Sequence, residues 1–80
     1  MTTVTVRYFA QLREQAGVGA EQMATAAASV RELYAEVAAR HGFSLPVDAL
    51  KVAVNAQFSN WSQPLRDADT IVFIPPVNGG

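Results

Sequence analysis

The sequence predicts an α+β domain in which one main helix lies across a sheet of about five strands. Three observations carry this. Residues 3–9 alternate polar and apolar with period two, residues 29–42 combine a helix cap, an apolar stripe and a glycine stop, and residues 51–74 return to short apolar runs separated by turn residues. Eighty residues form one domain of a size that buries roughly 60% of the surface exposed by its unfolded chain. Half of the residues are apolar and 16% are charged, a balance that excludes a disordered chain.

In residues 3–9, Val4, Val6 and Tyr8 fall on one face and Thr3, Thr5, Arg7 and Phe9 on the other, the pattern of a half-buried strand. Residues 10–16 have helix-forming composition and stop at Gly17, so a turn or two of helix is expected there. Residues 21–28 are ambiguous. Their methionine and four alanines favour helix by propensity, whereas a hairpin with the first strand would make residues 21–27 the second strand.

Ser29 and Glu32 form a Ser-x-x-Glu capping box that starts the main helix. Val30, Leu33, Tyr34, Val37 and Ala38 recur at offsets of three and four as its core stripe, Arg31, Glu32, Glu36 and Arg40 are expected to face water, and Gly42 ends it. Residues 43–50, with Pro46, read as a loop. Asn55-Ala56 joins residues 51–54 and 57–59 in a hairpin, because asparagine tolerates the left-handed region that a two-residue turn needs. Residues 70–74 are nearly all apolar, as in an inner strand or one whose outer face another protein covers.

Composition removes several function classes. With a net charge of −1 and scattered basic residues, the chain offers no field for nucleic acid. No apolar stretch approaches the roughly 20 residues that cross a bilayer, and no signal-peptide pattern opens the chain, so a cytoplasmic protein away from membranes is expected. Without cysteine there is no thiolate metal site or thiol nucleophile. His41, in the last helical turn, reads as a solvated residue without a partner, and Asp67 and Asp69 read as a solvated turn rather than metal ligands. Ser29 is engaged as a cap. No nucleophile–base pair remains to support a free-standing hydrolase or transferase.

The chemistry points to the end of the chain. Pro75 cannot donate to a sheet ladder, Pro76 beside it favours an extended backbone, and the chain closes with Val77, Asn78, Gly79 and Gly80. Fully extended, Pro75 to Gly80 spans about 20 Å, and a terminal pair of glycines makes a thin thread able to enter a narrow partner site. A free carboxylate at Gly80 would need activation before it could react as an acyl donor, for example adenylation by ATP.

The strand and helix order resembles the β-grasp fold of ubiquitin-like proteins, a mixed sheet crossed by one helix. The segments Val6-Arg7-Tyr8-Phe9-Ala10-Gln11-Leu12-Arg13-Glu14, Val52-Ala53-Val54-Asn55, Pro64-Leu65-Arg66-Asp67-Ala68-Asp69 and Phe73-Ile74-Pro75-Pro76-Val77-Asn78-Gly79-Gly80 resemble the MoaD-type sulfur carriers, the small subunits of molybdopterin synthase. The carboxy-terminal segment is the most specific of these. Asn78 departs from the family pattern, which favours a small residue there.

The resemblance implies a β-grasp domain over residues 1–74 and a flexible tail over 75–80. It implies that an adenylating enzyme related to the ubiquitin activators uses ATP to form an acyl-adenylate on Gly80, that a sulfur donor protein converts it to a thiocarboxylate, and that no cofactor or metal is held permanently. It also implies a large synthase subunit, assembled with this one as a heterotetramer, that receives the tail and passes sulfur to cyclic pyranopterin monophosphate. Phe9, Phe58 and Ile74 are then candidates for one apolar patch facing that partner, with core packing as the competing role for each. A ubiquitin-like modifier joined to lysines, and a sulfur carrier for thiamine or cysteine synthesis, are the alternatives that share the same tail.

Overall fold

The first strand joins the two ends of the chain. In the computed structural model, which describes residues 1–76, the elements are β1 (Thr2–Tyr8), α1 (Ala10–Ala16), β2 (Ala20–Thr25), α2 (Val30–His41), a single 3-10 turn (Val47–Ala49), β3 (Lys51–Val54), β4 (Gln57–Ser59) and β5 (Thr70–Ile74). The sheet order is β2-β1-β5-β3-β4. β1 and β5 are parallel and every other neighbouring pair is antiparallel, which is the mixed sheet of a β-grasp fold.

The alternation of β1 sets the core. Val4, Val6 and Tyr8 are buried beneath α2, together with Ile71 and Phe73 of β5 and Val52 and Val54 of β3. From above, α2 contributes Val30, Leu33, Tyr34 and Val37, all buried. Tyr34 packs edge-on against Phe73 at 5.1 Å between ring centroids, and Trp61 stacks on Phe73 at 6.0 Å. Leu12, fully buried, anchors α1, which ends at Gly17 in the left-handed region (φ 78°).

Residues 21–28 resolve in favour of the strand, but a shorter one than residues 21–27. Six residues of β2 pair with β1, from Thr2 opposite Thr25 to Arg7 opposite Ala20. The strand stops at Thr25 because its hydroxyl accepts the Ala27 amide at 3.0 Å, folding the backbone locally. That hydroxyl also donates to Glu36, which is therefore half-buried rather than turned to water.

The cap of α2 is arranged differently from a reciprocal box. Ser29 Oγ accepts the Glu32 amide at 3.3 Å, but the Glu32 carboxylate takes the amide of Ala28 rather than that of Ser29. The Val30 and Arg31 amides donate to the carbonyls of Gln63 and Trp61, each at 3.0 Å. The first-turn donors are thus satisfied by the irregular segment after β4, which fixes that segment against the helix. At the other end, Gly42 adopts φ 71° and its amide reaches the Ala38 carbonyl.

Two solvated assignments are corrected. His41 is not without a partner: its Nε2 lies 2.6 Å from Glu21 Oε2, and its ring packs against Tyr8 and Phe43. The Tyr8 hydroxyl donates to the same carboxylate at 2.6 Å and Arg40 pairs with it at 3.2 Å. Asp69 is buried rather than solvated. Its carboxylate accepts Asn55 Nδ2 and the Arg66 amide, both at 2.9 Å, while Asp67 accepts the Thr3 amide.

The hairpin turn is as tight as its length requires, with Asn55 at φ 52° and Ala56 at φ 72°. A left-handed residue other than glycine costs roughly 1–2 kcal/mol, less readily offset for alanine than for asparagine. Replacing Ala56→Gly is expected to raise stability by about 0.5–1 kcal/mol, read as a higher urea midpoint at unchanged slope.

Burial would raise the Glu21 carboxyl, but hydrogen bonds from Tyr8 and His41, with the positive charges of His41 and Arg40, outweigh it and hold the carboxyl below its usual range. A carboxyl depressed on folding stabilises the native state above its unfolded pKa of about 4.3, and that contribution fades as pH falls through the lower folded value. The urea midpoint of the wild type should exceed that of Glu21→Gln at pH 6, and the difference should shrink progressively below about pH 4.

Candidate functional site

The position of β5 determines where the tail starts. Lying between β1 and β3, it ends at Ile74 because Pro75 has no amide for either ladder. Pro75 is buried and Pro76 is exposed. Val77, Asn78, Gly79 and Gly80, the remaining candidate tail residues, lie outside the described residues.

Around this exit the register brings three strand ends together. β1 and β5 are parallel with Tyr8 opposite Phe73, so the chain following each strand leaves the same edge of the sheet, and Lys51 opens β3 opposite Ile74. A cleft lined by Asp48, Leu50, Lys51, Ile74, Pro75 and Pro76 lies at the tail base.

Phe9, Phe58 and Ile74 all belong to the sheet face turned away from α2. Phe58 is 76% exposed and Phe9 43%, while Ile74 is partly buried. Core packing is therefore not the role of either phenylalanine. Ile74 lies at the tail exit beside the end of β1, but Phe58 stands on the edge strand opposite Ala53, which in turn lies opposite Val72. Ala53 and Val72 bridge the two ends of the apolar strip. The alternation of β5 marks Val72 as outward-facing, but only the strand order reveals that it sits between the aromatic residues.

Two basic side chains border the apolar strip. Arg7 of β1 places its guanidinium 5.9 Å from the centre of the Phe9 ring, a cation–π arrangement, and Lys51 borders Ile74. The carboxylates of Glu21 and Glu36 are occupied near α2 by the hydrogen bonds described above. His41 is likewise held by Glu21. Among the described residues no group of three histidine, cysteine, aspartate or glutamate side chains is placed to hold a metal, and no helix is long and apolar enough to cross a membrane.

Pro75 and Pro76 thus leave the sheet beside a flat apolar face. The known proteins most relevant to it match along almost the whole chain. The profile of the ThiS family matches residues 6–80. The molybdopterin synthase sulfur carrier subunit of Escherichia coli is 36% identical over 80 residues, covering 96% of this chain and 99% of that protein. The complex of subunits 1 and 2 of molybdopterin-converting factor from Helicobacter pylori contains a chain that is 28% identical, with a TM-score of 0.68 and coverage of 99% of this chain and 100% of that one. The small archaeal modifier protein 1 of Haloferax volcanii, 18% identical with a TM-score of 0.82 over 96% of this chain and all of its own, shares the fold.

Because Phe58 makes its side-chain contribution outside the core whereas Phe73 is fully buried, the two truncations should separate cleanly. Phe58→Ala is expected to change unfolding free energy by no more than about 0.5 kcal/mol, and Phe73→Ala to lower it by about 3–5 kcal/mol, both checked by urea denaturation.

Proposed function

The chain belongs to the ThiS family, and from that premise we propose that it is the sulfur-carrying subunit of a molybdopterin synthase. The observation that carries the proposal is the 36% identity to the Escherichia coli sulfur carrier subunit over nearly the full length of both chains. In this proposal residues 1–74 form the recognition domain and residues 75–80 the tail. Gly80 bears the reacting carboxylate, Gly79 gives clearance, and Pro75, Pro76, Val77 and Asn78 guide the thread.

The Gly80 carboxylate attacks the α-phosphorus of ATP on a ubiquitin-activator-like enzyme, and pyrophosphate leaves. A sulfur nucleophile supplied by a donor protein then attacks the acyl carbon. The C–S bond forms as the C–O bond to AMP breaks, leaving a thiocarboxylate. In the synthase the large subunit receives the tail and sulfur passes to cyclic pyranopterin monophosphate, two transfers completing one dithiolene. The subunit complex of the Helicobacter pylori factor supports a large partner of this kind. Phe9, Phe58 and Ile74, with Val72 between them, supply the surface that docks on it. Catalysis beyond the carried sulfur belongs to the partners.

A second use of the tail, conjugation to lysines of other proteins, draws on the fold shared with the small archaeal modifier. Isopeptide-linked Gly-Gly remnants on other proteins would favour it. The two uses are separated by incubating the chain with ATP, an adenylating enzyme and a sulfur source, and measuring its intact mass. The carrier proposal expects one oxygen to be replaced by sulfur at Gly80, and loss of that change when Gly80 is deleted. An unchanged mass with an enzyme that activates its own carrier, or full synthase activity of the truncated chain, would overturn it.

A further inference from the structure

Arg7 stands where an apolar contact surface has no use for a charge. The register forms one row across the sheet, from Ala20 through Arg7, Val72 and Ala53 to Phe58, so the guanidinium-bearing residue is in line with the apolar strip. Val6 and Tyr8 on either side of it are buried, and Arg7 itself is exposed on the face turned away from α2. Its guanidinium lies 5.9 Å from the centre of the Phe9 ring, so the side chain leans along β1 toward the edge from which the tail leaves.

The surroundings of Arg7 on this face are neutral. The outward positions around it are Thr5 on its own strand, Ala20 and Gln22 on β2, and Thr70 and Val72 on β5. Glu21, next to Ala20 in the chain, turns to the opposite face, where it accepts from Tyr8 and His41 and pairs with Arg40. Asp48 lines the cleft with Lys51, on the far side of β5 from β1. Arg7 takes part in none of the ion pairs among the described residues.

In water this is no burden, because solvent hydrates the guanidinium. A partner laid over Val72 and Phe58 removes that water, and a cation covered without a counter-charge costs more than the apolar contact around it returns. The covering surface must therefore bring an anion to this row.

We propose that Arg7 selects the partner by receiving a carboxylate of the large subunit, with the Phe9 ring as the platform beside its guanidinium. This rests on the reading that the open face docks on that subunit. The guanidinium offers parallel N–H donors to the two carboxylate oxygens, and the ring beside it helps to hold the donor plane in place. A second copy of this chain does not meet the requirement, because its own open face would bring another Arg7 with the same neutral neighbours. Phe58 and Ile74 supply contact area to any apolar surface, whereas Arg7 refuses one that lacks the acid.

The test binds the full chain to the molybdopterin synthase large subunit of the same organism and measures association and dissociation rates over a range of salt. Arg7→Gln is expected to weaken binding by at least about tenfold, chiefly through faster dissociation, and to flatten the salt dependence. Arg7→Lys keeps the charge but loses the fork and should fall between Arg7→Gln and the wild type. Arg7→Glu should weaken binding by about 100-fold or more, because it sets two carboxylates against each other, and one acidic residue of the large subunit should restore binding when changed to arginine. All three variants should keep a urea midpoint close to that of the wild type, since the side chain is exposed. Rates and salt dependence unchanged in Arg7→Gln and Arg7→Glu, or tighter binding by either, would overturn the role of Arg7, while loss of binding by Phe58→Asp would leave the docking reading intact. No binding by the wild type, or full binding by Phe58→Asp, would overturn that reading and the role of Arg7 with it.

Discussion

The parallel pairing of β1 with β5 is the constraint from which the rest of the molecule follows. Four residue pairs, from Thr5 with Thr70 to Tyr8 with Phe73, join segments at the two ends of the chain. Parallel neighbours cannot be joined by a tight turn, so the intervening chain must cross the sheet, and α2 is the element that crosses it. Once β5 is fixed beside β1, β3 can pair on its other side and the exit of the tail is decided. The buried Asp69 reinforces the same junction: the residue that leads into β5 accepts from Asn55 and Arg66 through its side chain, and from the Thr5 amide through its carbonyl.

Much of this architecture is legible because it is written in local patterns. The alternation of residues 3–9 assigns both faces of β1, the stripe from Val30 to Ala38 assigns the buried side of α2, and Asn55 marks the hairpin turn. Where partners are distant, local pattern fails. Residues 20–25 have the composition of a helix and become a strand only because β1 offers a ladder along them. Glu21 and His41 are twenty residues apart, and neither carries a signal of the other. Asp69 looks like any turn aspartate until Asn55 is brought to it. The candidate site is legible in its residue types, but its shape depends on strand order, which alone places Val72 and Ala53 between the aromatic residues.

The two faces of the sheet are treated unequally. One is sealed by α2 and the aromatic group around Tyr34, while the other carries Phe58, Val72 and Ile74 with no second layer above them among the described residues. A domain of this size has little apolar surface to spare, and leaving a strip of it uncovered lowers the stability of the isolated chain. The polar cluster of Tyr8, Glu21, His41 and Arg40 strengthens the opposite side, closing the edge where β2 would otherwise turn a carboxylate inward without a partner.

The central place of β5 also governs how the domain bears force. A partner that draws on the residues after Pro76 pulls β5 along its own axis, between β1 and β3. Hydrogen bonds on both sides then lie across the direction of pull and share the load, whereas an edge strand peeled sideways would release its bonds one at a time. The domain is held most firmly along the axis of the strand from which its last residues leave.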